Sequence, residues 1–472
     1  MSRRGWTLIA VLVVLCALIG GTLWMTRPKP AAAAPDTRIQ LLKADKEKLV
    51  KVELTGRAQG DLTLLKSGKD WALVPSGPAG LVFDTSNVDR LTTGISTLFA
   101  DRVIDEKPTD LAQYGLKPPK AVATGTFLDG TQNTVFLGDK APAGGTYYLQ
   151  VKGDPRVYTV QMYDAEHFKW TMNDLRSKVI TPALNYDEVT YLRLVERKGT
   201  VIEAKEKTTE ENKSYQLGFG KYLLTQPYPY PRGVDTEKQD QLIKGPQGIA
   251  IESIVADAPA DMSKYGLARP WGEALVRDKA NTITFLFGAQ KNDTETYFMI
   301  KGQPTVYSVM TSSLSFMDTK PFDIVDKFIF IPNIDEVDRM EITAAGVKHV
   351  LAITRTVQKA AKAGEEDKVT PAYSMDGKPA VEEYFKKFYQ SLIGLQADGE
   401  VRRQVSDAPD VTVNFTMNKG PSKTVTVDYA PYDRDFYAIF KDGKSVFALT
   451  RGQMDAVRAK LDLLLKGQPV TD

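Results

Sequence analysis

Apolar and polar residues alternate in short runs along most of this chain, and the runs come in pairs. "AVATGTFLDGTQNTVFLG" (121–138) is two alternating segments around Asp129-Gly130, and Asp-Gly between such segments is a strong hairpin signal. "TYYLQVKGDPRVYTV" (146–160) predicts a second hairpin turning at Gly153-Asp154-Pro155. Similar runs follow at 281–288 and 296–309, and again at 411–429 and 435–450. Paired aromatics recur in step: Tyr147-Tyr148, Tyr297-Phe298 and Phe436-Tyr437. A helical period appears between the strand runs. Val88, Leu91, Ile95, Leu98 and Phe99 form one stripe over about 86–100, and Val381, Tyr384, Phe385, Phe388 and Leu392 form another. Gly245-Pro246 interrupts the corresponding region of the middle segment, and a closing helix is expected over 452–466.

Two helix stops punctuate this pattern. In "DLAQYGL" (110–116) Gly115 can take the left-handed conformation, with Tyr114 as the last capped residue. Leu111 and Leu116 are then the apolar pair of a Schellman turn. "DMSKYGL" (261–267) repeats it with Met262, Tyr265, Gly266 and Leu267. Prolines follow each stop and force an extended exit. These residues are the ones the turn geometry needs, so a structural role is expected of them.

Strand-opening segments also align. "NYDEVTYLRL" (185–194) and "NIDEVDRMEI" (333–342) match, and "DKEKLVKVEL" (45–54) matches more loosely; each starts with a residue able to cap a short helical turn. Three repeats are therefore expected, at 44–182, 183–331 and a degenerate 332–472. A period this long means tandem globular domains, not a solenoid. Antiparallel hairpins with helices packed on one face make the expected fold class α+β.

The N-terminus breaks the pattern. Residues 6–26, "WTLIAVLVVLCALIGGTLWMT", contain no charge, and as a helix they would span about 30 Å, the thickness of a hydrocarbon core. Trp6 and Trp24 lie near its ends, and Arg3 and Arg4 precede it. The reading is a stub at 1–5, a transmembrane helix at 6–26, a Pro/Ala spacer at 27–43, and the rest of the chain outside the cytoplasm. The stretch exceeds the core of a signal peptide, about 7–15 residues, which favours an uncleaved anchor. The alanines at 31–34 supply cleavage-type sites for the alternative.

Charge narrows the function classes. The 61 basic and 59 acidic side chains nearly cancel, so no nucleic-acid footprint is visible. Cys16, in the apolar segment, is the single cysteine, which excludes a disulfide framework. There are two histidines, His167 in "AEHFKW" and His349 in "GVKHVLAI"; they lie in different repeats, a metal site or a Ser-His-Asp triad needs a partner set around its histidine, and both are expected to be structural. No P-loop or dinucleotide fingerprint is present, and no cofactor is expected. Asp428, Asp433 and Asp435 share "DYAPYDRD", but Arg434 sits among them and the calcium-loop spacing is missing.

One segment suggests recognition. "TQPYPYPRG" (225–233) sets Tyr228 and Tyr230 between Pro227, Pro229 and Pro231, and such prolines hold a chain extended at low ordering entropy. It could present both tyrosines to a glycan or a protein partner. "KTTEENKS" (207–214) reads as a solvated hairpin tip.

The apolar segment, the "YGL" stop with its prolines, the Asp-Gly hairpin, "YYLQVKGDPRVY" and "DLRSKVI" (174–180) together resemble a bacterial domain-of-unknown-function family of membrane-anchored envelope proteins. The resemblance is best over about 85–180, fair over 240–330 and weak in the third repeat. Members often carry the domain in tandem and are often encoded beside ABC-type transporters of the gliding-motility auxiliary kind. The resemblance thus implies a non-enzymatic envelope accessory or scaffold with a transporter partner, and supplies no catalytic residues. The alternatives are a binding module for cell-wall glycan or an exported polymer, and, third, a carboxylate-based hydrolase.

Overall fold

The computed structural model describes residues 38–78, 81–142, 144–213, 215–360 and 367–471. The transmembrane helix expected at 6–26 lies outside the described residues. Among the described residues no helix is long and apolar enough to cross a membrane.

Three large antiparallel sheets, of eight, nine and nine strands, dominate the chain. In the first, strands Leu49–Thr55, Leu62–Ser67 and Asp70–Val74 form a meander that runs outward to one edge. Ala121–Phe127 pairs on the other side of Leu49–Thr55. From it Gln132–Lys140, Thr146–Val151 and Val157–Gln161 run in order to the far side, where the short strand Arg102–Asp105 closes the edge. The second sheet, between Tyr191 and Met310, and the third, between Val337 and Thr450, have the same order, each with a two-residue strand added at the first edge. A repeated domain is therefore visible as one sheet topology used three times.

The same local devices open each sheet. Asp45, Asn185 and Asn333 each accept the amide of the residue two positions on, at 3.0, 3.1 and 3.0 Å, capping the one-turn helices Lys46–Lys48, Tyr186–Glu188 and Ile334–Glu336. The chain then enters the central strand. Ala121–Phe127 alternates fully buried with half-buried positions, so one face of the sheet carries the core.

The α+β reading needs correction. Helices do not form a layer matching the strands, and the protein is mainly antiparallel β. Among the described residues the α-helices longer than one or two turns are Thr85–Ser96, Glu382–Ile393 and Arg451–Leu465. The stripe read over 86–100 stops at Ser96. Leu98 and Phe99 belong to the strand Thr97–Ala100, which pairs with Ile39–Lys43. Apolar residues at helical spacing continue past Ser96, but a strand partner is available and β-branched Thr97 favours extension. In the middle repeat the helix is six residues, Gln239–Lys244, with Pro246 in the 3-10 turn that follows.

The chain divides into two compact units, one ending at Ser177 and one beginning at Lys178. The N-terminal unit buries Leu49, Val52, Leu54, Leu91, Ile95 and Phe168 between its sheet and the Thr85–Ser96 helix. The C-terminal unit holds the second and third sheets on one continuous core, which runs from Val189 to Val470.

Candidate functional site

The helix-stop residues form matching turns. Ala112–Tyr114 and Ser263–Tyr265 are single 3-10 turns, each ended by a left-handed glycine, Gly115 at φ 66° and Gly266 at φ 69°. The amides of Leu116 and Leu267 donate to the carbonyls of Leu111 and Met262 at 3.0 and 3.1 Å, the long bond of a Schellman turn. Asp110 and Asp261 each accept an amide of their turn at 2.8 Å. Leu116 and Leu267 are buried, and the Tyr114 and Tyr265 rings meet Tyr148 and Tyr297 edge-on, both at 5.1 Å.

A second glycine completes each turn. A Cβ on Gly138 would overlap the carbonyl oxygen of Tyr114, and one on Gly288 would overlap that of Tyr265. Both glycines lie within an irregularity in strand register, between Leu137 and Lys140 and between Phe287 and Gln290. The turn lies flat on the strand only because a side chain is missing there.

A second seat recurs beside the helices. Gly94 leaves room for the His167 ring, and Gly245 leaves room for Phe316. The backbone matches around them. Asp84 and Asp235 donate their amides to Leu175 and Ile324 at 2.8 and 2.9 Å, and Ser177 and Asp326 donate to Val82 and Gly233, both at 2.8 Å. His167 is 3% exposed, and neither ring nitrogen has a hydrogen-bond partner among the described residues. Burial, helped by the Arg90 charge, pulls its pKa down to about 4. His349 lies in the strand Val347–Gln358, where Nδ1 is 2.9 Å from Asp376 Oδ2.

The Tyr-Pro segment does not present its aromatics outward. Tyr228 is 6% exposed; its ring centroid is 4.9 Å from that of Phe447, and its hydroxyl donates to Glu400 at 2.9 Å. Burial, and then the Glu400 charge, hold its phenol well above the usual range. Tyr230 is half-buried, and burial raises its pKa too. Arg232, two residues on, lies in the edge strand Arg232–Gly233 of the second sheet and is buried. Its guanidinium donates to the carbonyls of Ile329, Asp326 and Phe328 at 3.1, 2.7 and 2.6 Å, and lies 5.1 Å from the Phe447 ring. Lys207, expected in a solvated tip, is instead buried and donates to Gly218 at 2.6 Å.

The N-terminal unit has an open cleft of about 710 Å³ between the first strand meander and the Thr85–Ser96 helix. Trp71 and Phe83 supply aromatic surface, and Lys46, Lys66, Asp70 and Asp89 supply charge. Lys46 pairs with Asp89 at 2.6 Å. The size suits a small ligand or one or two sugar rings.

The Asp428, Asp433 and Asp435 loop shows local bonding. Asp428 accepts the Thr412 hydroxyl at 2.5 Å, and Asp433 accepts the amides of Asp435 and Phe436, both at 2.9 Å. Among the described residues no group of three His, Cys, Asp or Glu is placed to hold a metal ion.

The model of a domain of unknown function, DUF4340, matches residues 71–245 and again 223–413. The chain belongs to the DUF4340 family. No curated protein and no solved structure matches it. The two DUF4340 matches begin in equivalent places, the third strands of the first and second sheets, Asp70–Val74 and Tyr222–Gln226. The period of the DUF4340 match is thus the period of the sheets.

Sequence reasoning found one glycine of each DUF4340 turn and missed its partner. Gly138 and Gly288 were visible as the ends of matched runs, "VFLG" and "FLFG", and that match was the available signal. Arg232 and Lys441 were missed outright, because a cation in a polar loop or an alternating strand carries no mark of burial.

Proposed function

We propose that this chain is a non-enzymatic accessory or scaffold of the cell envelope. It is held at the membrane by residues 6–26 and presents its repeated sheets outside the cytoplasm. Its partner, on the family resemblance, is an ABC-type transporter or a gliding-motility-like complex. The observation that carries the reading is the paired turn: Tyr114-Gly115-Leu116 on Gly138 and Tyr265-Gly266-Leu267 on Gly288. The residues that recur serve chain reversal and close packing, so what the repeats have in common is a shape, and a shape used in tandem suits protein contacts.

The test is recovery of partners from native membranes. Full-length tagged protein, crosslinked and extracted in detergent, is expected to bring down a transporter subunit and to stay in the membrane after alkaline wash. Recovery alone, with release by the wash, would contradict both parts of the proposal.

A second reading, capture of a cell-wall glycan or exported polymer, draws support from the Trp71 cleft and not from the buried Tyr228. Under it, Trp71→Ala weakens retention on cell-wall material while Tyr228→Phe leaves it unchanged. Equal retention of wild type and Trp71→Ala would remove this reading.

A further inference from the structure

We propose that the cleft beside Trp71 is a slot for one extended peptide strand, contributed by a partner protein. The shared register of the three sheets makes their edges comparable. Val52, Leu192 and Met340 stand at the same distance from the caps Asp45, Asn185 and Asn333. They pair with Leu64, Ala204 and Leu351, which pair in turn with Leu73, Leu224 and Met375 on the next strand. Trp71, Tyr222 and Tyr373 are therefore equivalent residues of that strand.

Repeats 2 and 3 cover this edge with their own chain. Arg232 and Gly233 pair with Leu224 and Leu223, and Lys378 and Pro379 pair with Met375 and Ser374. The next amides, of Val234 and Ala380, donate to the carbonyls of Tyr222 and Tyr373, both at 2.9 Å. In repeat 1 the residues equivalent to Arg232, Gly233 and Val234 are Leu81, Val82 and Phe83. The Val82 carbonyl accepts from Ser177 as that of Gly233 accepts from Asp326, and Phe83 bridges Arg176 as Val234 bridges Val325. The outer pairing is kept and the inner pairing is missing. Among the described residues, Asp70–Val74 has no strand on its outer side, and the Phe83 amide has no acceptor.

The cleft of about 710 Å³ lies where that pairing is lost, with Asp70 and Trp71 on the sheet side and Leu81, Val82 and Phe83 opposite. Backbone groups alternate in direction along a strand, so Trp71 and Leu73 turn theirs into the gap, and Phe83 faces them as Val234 faces Tyr222. An inserted strand can bond to both sides, the way an extended segment adds to an open sheet edge. The edge carries neither a proline nor a break in register, two devices that blunt free edges. Lys46, Lys66 and Lys69 are balanced in the lining by Glu47, Asp70 and Asp89, which suits an uncharged segment. The inference takes from the scaffold reading only that the occupant is a protein, and it gives the cleft to peptide where the second reading gives it to glycan.

The experiment uses the full-length protein in detergent and a phage-displayed library of random short peptides. In the free protein the Leu73 and Phe83 amides should exchange hydrogen quickly, while the Val234 amide is protected. Selected peptides are expected to be uncharged, and the tightest, added as free peptide, should slow exchange at Leu73 and Phe83 and leave Val234 unchanged. Leu73→Pro removes the outward amide and keeps the pairing with Leu62–Ser67, so it should weaken that peptide roughly tenfold. The exchange readings need only the wild type and stand if Leu73→Pro does not fold. Phe83 as protected as Val234 in the free protein, no enriched peptide, a bound peptide that leaves both amides fast, or full affinity in a folded Leu73→Pro would overturn the proposal. So would cell-wall fragments that slow these amides where peptides do not.

Discussion

Repeat 1 seats the imidazole of His167 against Gly94; repeat 2 seats the phenyl ring of Phe316 against Gly245. Repeat 1 has Leu81 where repeat 2 has the buried Arg232, and a 710 Å³ cleft lies beside Leu81. The backbones around these positions share the same hydrogen bonds, so the differences belong to side chains placed on a common frame. Repeat 2 closes against the third sheet within one unit, and Tyr228, Arg232 and Lys441 fill the junction. The comparison separates what the fold requires, a glycine facing a ring or a carbonyl, from what each repeat adds.

Four predictions break or sharpen that comparison. Arg232→Met orphans three carbonyl acceptors and should destabilise the C-terminal unit by roughly 3 kcal/mol, whereas Leu81→Met should cost under about 1 kcal/mol. Denaturant unfolding of the full chain measures both; equal effects would deny that Arg232 is a special filling of a shared position. Gly138→Ala and Gly288→Ala should each cost about 2–3 kcal/mol, because in each the added methyl meets a backbone carbonyl that cannot move aside. A large cost in one repeat and none in the other would break the equivalence of the paired turns.

The third concerns pH. The His167 pKa is lowered in the folded state to about 4, against an ordinary value near 6.5, so between those values the unfolded chain binds more protons. Stability therefore rises with pH through that window, and the N-terminal unit should lose about 2 kcal/mol between pH 8 and pH 5 on this account. His167→Phe copies Phe316 and should flatten that slope; Phe316→His should introduce one in repeat 2. Thermal unfolding at the two pH values checks both. The smallest effect is Tyr228→Phe, which removes the hydroxyl's bond to Glu400 and should cost about 1 kcal/mol.

Features set within a few residues were legible before the structure. The caps at Asp45, Asn185 and Asn333, the left-handed Gly115 and Gly266, and the Asp129-Gly130 hairpin each follow from local backbone chemistry. Strand order was not legible, because pairing Leu49–Thr55 with Ala121–Phe127 joins segments about 70 residues apart. Helix extent was misread at Leu98 and Phe99, whose spacing fits a helix but whose partner is the strand Ile39–Lys43. The Tyr-Pro segment shows why its site reading had to wait. Prolines indicate that the backbone is extended, yet nothing in "PYPYP" indicates that Tyr228 turns toward Phe447 and Glu400.

The central claim is that the recurring turn is a packing device shared by two repeats. Hydrogen exchange at the Leu116 and Leu267 amides tests it most directly, since each donates the long bond of its turn. The account predicts strong and comparable protection at both, with Gly138→Ala stripping it from Leu116 and sparing Leu267. Exchange at either amide as fast as an open loop, or loss at both sites from the one substitution, would contradict it.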